Sequence, residues 1–315
     1  MLRGGWIQSP LCMERCMNIS TPFSSNRWLG LLFLLPTLLI LVMFLYGPIL
    51  ETLRLSFHQV AFLGLREEFC GLGNYRDLFF EPGYRRMFQA TLIFTFFTVT
   101  GGMGLGLLLA LLVHGVKGGR GFYRLFLIWP YALSPAVAGV IFLFLFSNQV
   151  GLVNAGLDAL FGRHPDWLAS PALAMTVVVG AAIWKNIGYN LIFYLAALSS
   201  LPRDVLEAAR MDGAGPVMRL LRVFLPLLAP MTLFLLVVNL MYAVFDVFPV
   251  VDLITKGGPS DATLLMIYSL YRDGFEFLKT GSAAAQSVLL LGAVAFLTLV
   301  KFRTYGRGIH YGGRQ

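Results

Sequence analysis

Charge is what this 315-residue chain has least of: 13% of it is Asp, Glu, Lys or Arg, about half the share of a typical soluble domain. With 57% hydrophobic residues and a mean hydropathy of +0.75, that shortfall excludes a soluble globular protein. Cysteine is scarce too. Cys12, Cys16 and Cys70 make no disulfide framework, and Cys12-x3-Cys16 has no second pair to complete a zinc site. The four histidines, His58, His114, His164 and His310, are scattered outside the long apolar runs. No metal site and no catalytic residue is therefore expected, and a membrane-embedded enzyme is disfavoured. A Gly-x4-Gly-Lys-[Ser/Thr] motif is missing, so the chain cannot cradle ATP phosphates by itself and no cofactor is expected on it. No fixed-period repeat is visible.

What the chain does have is length of apolar sequence. Six runs can each cross about 30 Å of hydrocarbon, which takes roughly 20 residues. They lie near Leu29–Leu50, Phe88–Val113, Leu125–Phe146, Pro171–Ser199, Val223–Phe248 and Gly281–Val300. Runs this long and continuous are helical, because lipid leaves only helices and closed barrels with a satisfied backbone. The fold class expected is an all-α integral membrane protein with six spans. The net charge of +8 does not point to nucleic acid. The tails and the loops 114–124 and 200–222 hold 14 Lys/Arg against 4 acids, while the alternate loops hold 9 against 11. Cytoplasmic loops carry the Lys/Arg excess, so both termini are expected in the cytoplasm. Residues 1–28 lack the h-region and cleavage site of a signal peptide and read as a poorly ordered cytoplasmic tail. Nothing upstream of Met17 reads as structure, which makes Met17 a candidate start. The first span then serves as an uncleaved signal anchor. The membrane domain occupies 29–300, with a cytoplasmic loop at 200–226, and a second cytoplasmic tail follows at 301–315.

Proline and glycine within spans (Pro36, Gly47-Pro48, Pro135, Pro226, Pro230) mark kinks, which a gate needs and which static bundles also contain. In the first outer loop, Gly71-Leu72-Gly73-Asn74-Tyr75 predicts a short helix capped by Asn74, with Leu78 and Phe79 at the membrane interface. In the third, Thr255-Lys256-Gly257-Gly258-Pro259-Ser260 is a turn signal. The aromatics after it, Tyr268, Tyr271, Phe275 and Phe277, fit an interfacial belt or a surface for an external partner.

The loop before the fifth span is a polar island that cannot cross a membrane. Pro202 opens a helix that runs through Glu207-Ala208-Ala209-Arg210-Met211, Asp212-Gly213 breaks it, and Pro216 starts another. Ala208 and Ala209 make a smooth face that another protein can approach closely, with the Glu207 carboxylate beside it for a partner's arginine. The alternative is a plain helical hairpin with Glu207 solvated. At these residues the sequence resembles a family. Glu207-Ala208-Ala209-x3-Gly213-x9-Val223-x-Leu225-Pro226 is similar to the signature loop of the membrane subunits of binding-protein-dependent ABC importers, with Val223 at the usual Ile.

The resemblance runs from about Leu29 to Val300. Trp129-Pro130-Tyr131, Trp184-Lys185-Asn186-Ile187-Gly188 and Gly257-Gly258-Pro259 with Thr263 resemble the maltose-type carbohydrate-uptake permeases. Leu236–Ala243, Phe245-Asp246-x-Phe248-Pro249-Val250, Ile267–Phe275 and Ala284–Val288 are most similar to the A-type permease subunits of sn-glycerol-3-phosphate importers. The N-terminal extension has no counterpart there. The resemblance implies a type I ABC importer transmembrane domain, multi-pass in a bacterial inner membrane and forming half of a heterodimeric pore. It also implies partners: a second permease subunit, two copies of a cytoplasmic ATPase that carry ATP and Mg, and a periplasmic or extracellular solute-binding protein. Glu207, Ala208, Ala209, Asp212 and Gly213 would be the contact through which the ATPase drives the spans. The substrate implied is sn-glycerol-3-phosphate or a glycerophosphodiester, with another sugar or polyol as the alternative. An ion-coupled secondary transporter would instead show discontinuous helices in two corresponding halves, which the sequence does not.

Polar residues inside spans usually face a cavity or the bundle interior. Lys185 with Tyr189, and Asn186 with Asn190, are i,i+4 pairs on span four. Asn239, Tyr242 and Asp246 share one face of span five, and Gln286 lies on span six. These eight are the candidate substrate contacts. The competing reading is interhelical hydrogen bonding, with Lys185 paired to Asp246.

Overall fold

The computed structural model describes residues 27–61, 66–116, 118–202, 204–205, 207, 211–213 and 215–305. They fall into two compact units, Met1–Thr52 and Leu53–Gln315. The first unit holds most of span one. Its helix Arg27–Leu41 passes through a π-helical turn at Val42–Tyr46 into Gly47–Leu55.

In the second unit, span two is the 34-residue helix Pro82–Gly115 and span four is Pro171–Ser199, the bounds expected for it. Span five is Ala229–Met241 prolonged by a π turn to Asp246, and span six belongs to the helix Thr280–Tyr305. Span two is longer than the apolar run, so His114 falls in its last turn rather than in the following loop.

The third run does not make one straight crossing. It forms two helices, Arg120–Ala132 and Pro135–Leu145, bent by 96° to each other. Proline explains the break. Pro135 has no N–H to give the Tyr131 carbonyl and disfavours helix at the residue before it, and Leu133 and Ser134 are accordingly extended. Among the described residues, five helices are therefore long and apolar enough to cross a membrane, or six where the bent pair counts as one span.

Three of the four π turns among the described residues also precede prolines. Val42–Tyr46 runs into Gly47-Pro48, Leu220–Phe224 into Leu225-Pro226, and Tyr242–Asp246 into Phe248-Pro249. A proline removes the donor that an α turn needs. The chain widens instead, so that Gly47 N–H reaches Val42 O and Leu225 N–H reaches Leu220 O, five residues back.

The heart of the bundle is the contact of spans two and four, made close by glycine. A Cβ on Gly106 would stand 2.5 Å from Asn190 Cβ, and one on Gly101 2.7 Å from Ile183 Cδ1. Gly102-x3-Gly106 is thus a small-residue approach of the kind that lets membrane helices touch backbones. A buried hydroxyl adds a tie: Thr91 Oγ1 accepts from the Met266 N–H at 2.9 Å and donates to Met87 O at 2.8 Å.

At the Pro82 end sits a two-stranded antiparallel hairpin, β1 His58–Ala61 and β2 Arg66–Phe69, with His58 opposite Phe69. Asn74 corrects the expectation of a cap. It lies inside the helix Gly73–Phe80, buried, and its Nδ2 donates to Ser56 O at 2.9 Å and His58 O at 3.0 Å. Tyr75 adds a bond to Ser56 Oγ at 2.8 Å. The motif is a strap holding the hairpin on the bundle, and it exists because two carbonyls at the hairpin's base need donors. Leu78 is buried and only Phe79 is exposed. The later aromatics divide likewise: Tyr268 and Tyr271 pack on Phe248 with ring centroids 5.8 and 4.8 Å away, while Phe275 and Phe277 stay exposed.

Candidate functional site

Span four carries the polar patch, and its four residues part into two sets. Asn186 and Asn190 turn to span five. Asn186 Nδ2 donates to Asn239 Oδ1 at 2.9 Å and Asn190 Nδ2 to the same oxygen at 3.1 Å. Asn239 Nδ2 returns a bond to Asn190 Oδ1 at 2.7 Å and another to Leu235 O at 2.8 Å. Asn190 is 0% and Asn239 2% exposed. The three amides satisfy one another, so this half of the patch is a clasp between spans. Tyr242, also buried, spends its hydroxyl on Ala182 O at 3.2 Å.

Lys185 and Tyr189 turn toward span three, into a cavity of about 660 Å³ lined also by Tyr131, Pro135, Asn186, Tyr242, Phe245 and Asp246. Lys185 is 7% exposed. Its Nζ donates to Tyr131 O at 3.3 Å and lies 4.7 Å from the Tyr131 ring centroid. That carbonyl is the one Pro135 leaves without a helical donor. The break in span three and the lysine in span four thus answer each other: proline frees an acceptor, and a cation that must be buried finds it. No ion pair within 4 Å joins Lys185 to Asp246, whose carboxylate is exposed at the cavity. The cavity therefore offers an ammonium with donors to spare, aromatic walls from Tyr131 and Tyr189 at 5.4 Å centroid spacing, and an acidic group at its mouth. Such a set can take an anionic, hydroxyl-bearing solute.

Two of the motifs quoted from the sequence, Trp129-Pro130-Tyr131 and Trp184-Lys185-Asn186-Ile187-Gly188, meet here. Trp129 contacts Trp184 edge-on at 6.5 Å. Gly188 lets span four approach span three, since a Cβ there would stand 3.0 Å from Ile128 Cα and 3.1 Å from Leu127 O. Gln286 does not join this group. Its Nε2 bonds Asp273 Oδ2 at 2.5 Å, with Ser282 Oγ at 3.4 Å, and it lies away from the Lys185 cavity because span six turns that face to the segment Arg272–Glu276. Sequence reasoning missed Tyr131 as a ligand of Lys185 and the glycines facing Asn190. The Pro135 spacing and Gly102-x3-Gly106 were the available signals.

In the loop between spans four and five, Asp204, Val205, Glu207 and Met211 are helical, and Glu207 is exposed. Asp212 and Gly213 form an exposed turn in which Gly213 takes φ +71°. Ala208 and Ala209 lie outside the described residues. Around the turn Met211, 88% exposed, Val217, Met218 and Leu221 present apolar surface on an otherwise polar loop. Among the described residues no group of three or more His, Cys, Asp or Glu could hold a metal ion.

Residues 102–303 match the family model of the "Binding-protein-dependent transport system inner membrane component". The sn-glycerol-3-phosphate transport system permease proteins UgpA of Pectobacterium atrosepticum and of Escherichia coli are each 43% identical over 94% of this chain and 100% of their own length. The same permease of Yersinia enterocolitica is 44% identical over the same shares. Among solved structures, a bacterial ABC transporter involved in import of the acidic polysaccharide alginate matches with TM-score 0.78 at 24% identity, over 90% of this chain and 96% of that one. The alginate transporter in complex with a pentasaccharide-bound periplasmic protein gives TM-score 0.76 at 25% identity, over 89% and 94%. The chain belongs to the family of binding-protein-dependent transport system inner membrane components, and its fold is that of a type I ABC importer permease.

Proposed function

We propose that this inner-membrane component forms one half of a heterodimeric pore for sn-glycerol-3-phosphate or glycerophosphodiesters. The observation that carries the substrate reading is the buried Lys185 ammonium in the Tyr131–Tyr189–Asp246 cavity. A membrane protein keeps a cation among apolar neighbours at considerable cost, and an ammonium with free donors suits a phosphate oxygen, while tyrosine and carboxylate suit hydroxyls. Relatives named for sn-glycerol-3-phosphate transport support the same choice. The asparagine clasp sits beside this cavity and holds its walls rather than the solute.

Energy comes from outside the chain. Two copies of an ATPase, holding ATP and Mg, dock on the cytoplasmic loop through Glu207, Ala208, Ala209, Asp212 and Gly213. The exposed Met211 and Val217 supply apolar contact there. A second permease completes the pore, and a periplasmic binding protein delivers the solute, as the complex of the alginate transporter illustrates for that protein. The Lys/Arg excess of the tails and of loop 200–222 supports cytoplasmic termini.

The test is uptake of labelled sn-glycerol-3-phosphate by the assembled importer carrying Lys185→Met, Lys185→Arg or Glu207→Lys. Lys185→Met should abolish uptake while binding-protein-stimulated ATP hydrolysis persists, and Lys185→Arg should retain part of it. Glu207→Lys should lose both uptake and stimulation. Unchanged uptake in Lys185→Met would overturn the substrate site, and unchanged stimulation in Glu207→Lys would overturn the coupling loop.

A further inference from the structure

A second cavity, of about 780 Å³, lies between spans two and four on the side away from Lys185. Its walls are apolar: Ala90, Ile93 and Phe97 from span two face Met175, Val179 and Ile183 from span four. Its mouth is different in kind. Arg86 and Gln89 stand on one side, and Ser260 and Asp261 on the other. Among the described residues Arg86 makes no ion pair or side-chain hydrogen bond, and the Asp261 carboxylate makes none either, though both line this one opening. Two opposite charges are thus held apart at the entrance of a greasy slot.

The loop that brings Asp261 there is held in one shape. Ser260 and Asp261 take φ +49° and +61°, and Lys256 takes +49°, a region that side-chain-bearing residues seldom occupy. Thr263, 0% exposed, pins the turn by bonds to Gly258 O at 2.6 Å and Thr255 Oγ1 at 2.7 Å. Depth fits a leaflet. From Arg86 to Phe97 the helix rises about 16 Å, and half of a bilayer's hydrocarbon is about 15 Å. Arg86, one turn inside the Pro82 end, therefore stands at headgroup level with the slot running down the acyl region.

We infer that this groove binds one zwitterionic phospholipid with a primary ammonium headgroup, of the phosphatidylethanolamine class. Its phosphate meets Arg86 and Gln89, its ammonium meets Asp261, and one acyl chain fills the slot past Phe97. A free phosphate would leave the apolar walls unused. A choline headgroup would bring the charge without N–H donors for the carboxylate. The site is independent of the solute and of the proposed function.

The experiment uses the full chain purified in mild detergent and reconstituted in nanodiscs of mixed ethanolamine, choline and glycerol phospholipids, with retained lipid measured by mass spectrometry. Wild type should retain the ethanolamine lipid roughly fivefold over choline lipid, the ratio sustained by one partly exposed ion pair. Asp261→Asn should erase that preference, Arg86→Gln should lower retention of both lipids, and Arg85→Gln, an exposed neighbour off the groove, should change neither. A photoreactive side chain at Phe97 should yield a lipid adduct in membranes. Equal retention across wild type, Arg86→Gln and Asp261→Asn would overturn the site. So would a Phe97 adduct made only with protein, which would give the groove to a neighbouring subunit.

Discussion

Asn239→Leu is the sharpest probe of the bundle, because one amide there serves two others. The substitution keeps the number of side-chain heavy atoms and the branching at Cγ, and removes both the acceptor of Asn186 and Asn190 and the donor to Asn190. Three interhelical bonds at about 0.6 kcal/mol each amount to about 2 kcal/mol. The orphaned amides add to this, since Asn190 is 0% and Asn186 5% exposed and a buried unpaired group costs about 1–3 kcal/mol. A loss of roughly 3–5 kcal/mol is expected in reversible unfolding in mixed micelles. In a double-mutant cycle, Asn190→Leu combined with Asn239→Leu should recover about 1–2 kcal/mol relative to the sum of the singles, because both remove the same two Asn190–Asn239 bonds and each single orphans the other residue. Solute affinity, measured at temperatures where the variant is folded, should stay near wild type. Additive singles, or a stable variant with lost affinity, would refute the clasp and return Asn239 to the substrate contacts.

Three further outcomes follow from the same packing. Gly106→Ala should destabilise by about 1–3 kcal/mol through overpacking on Asn190, while Gly104→Ala, with nothing within 4 Å of its Cβ, should not; thermal unfolding of the two side by side decides. Asn74→Ala should loosen the hairpin, read as faster hydrogen exchange at residues 56–60 with the spans unchanged, since two carbonyls lose their donor. Gly213→Ala places a side chain at φ +71°, a strain of about 1–2 kcal/mol. It should lower solute-stimulated ATP hydrolysis of the assembled importer more than Gly215→Ala does.

Much of the architecture was legible because lipid imposes simple rules. Span four was bounded at Pro171 and Ser199 by a proline start and a polar end, and both hold. The third run misled because hydropathy counts residues and ignores direction: Pro135 turns the chain by 96° without lowering apolarity. Asn74 was read as a cap from its place before a helical pattern, but its true acceptors are 16 and 18 residues upstream. Spacing cannot show such partners. The i,i+4 rule correctly placed Lys185 with Tyr189 and Asn186 with Asn190, yet could not say that the pairs face opposite neighbours. That depended on where spans three and five pack. Gln286 was grouped with them on polarity alone, and its partners proved to be Asp273 and Ser282.

The widened turn at Tyr242–Asp246 has a genetic consequence. A π turn holds one residue more than an α turn, so its residues are the place in span five where the reading frame of the helix can be reset. Deleting Val244 would let the turn close to α geometry, so the loss is absorbed where it falls and the residues beyond keep nearly the face they had. The same deletion at Leu240, in the α-helical stretch, would swing everything beyond it by about 100° and carry Asp246, Phe248 and Pro249 out of the Lys185 cavity. A one-codon deletion is therefore tolerable at this turn and ruinous one turn earlier in the same helix.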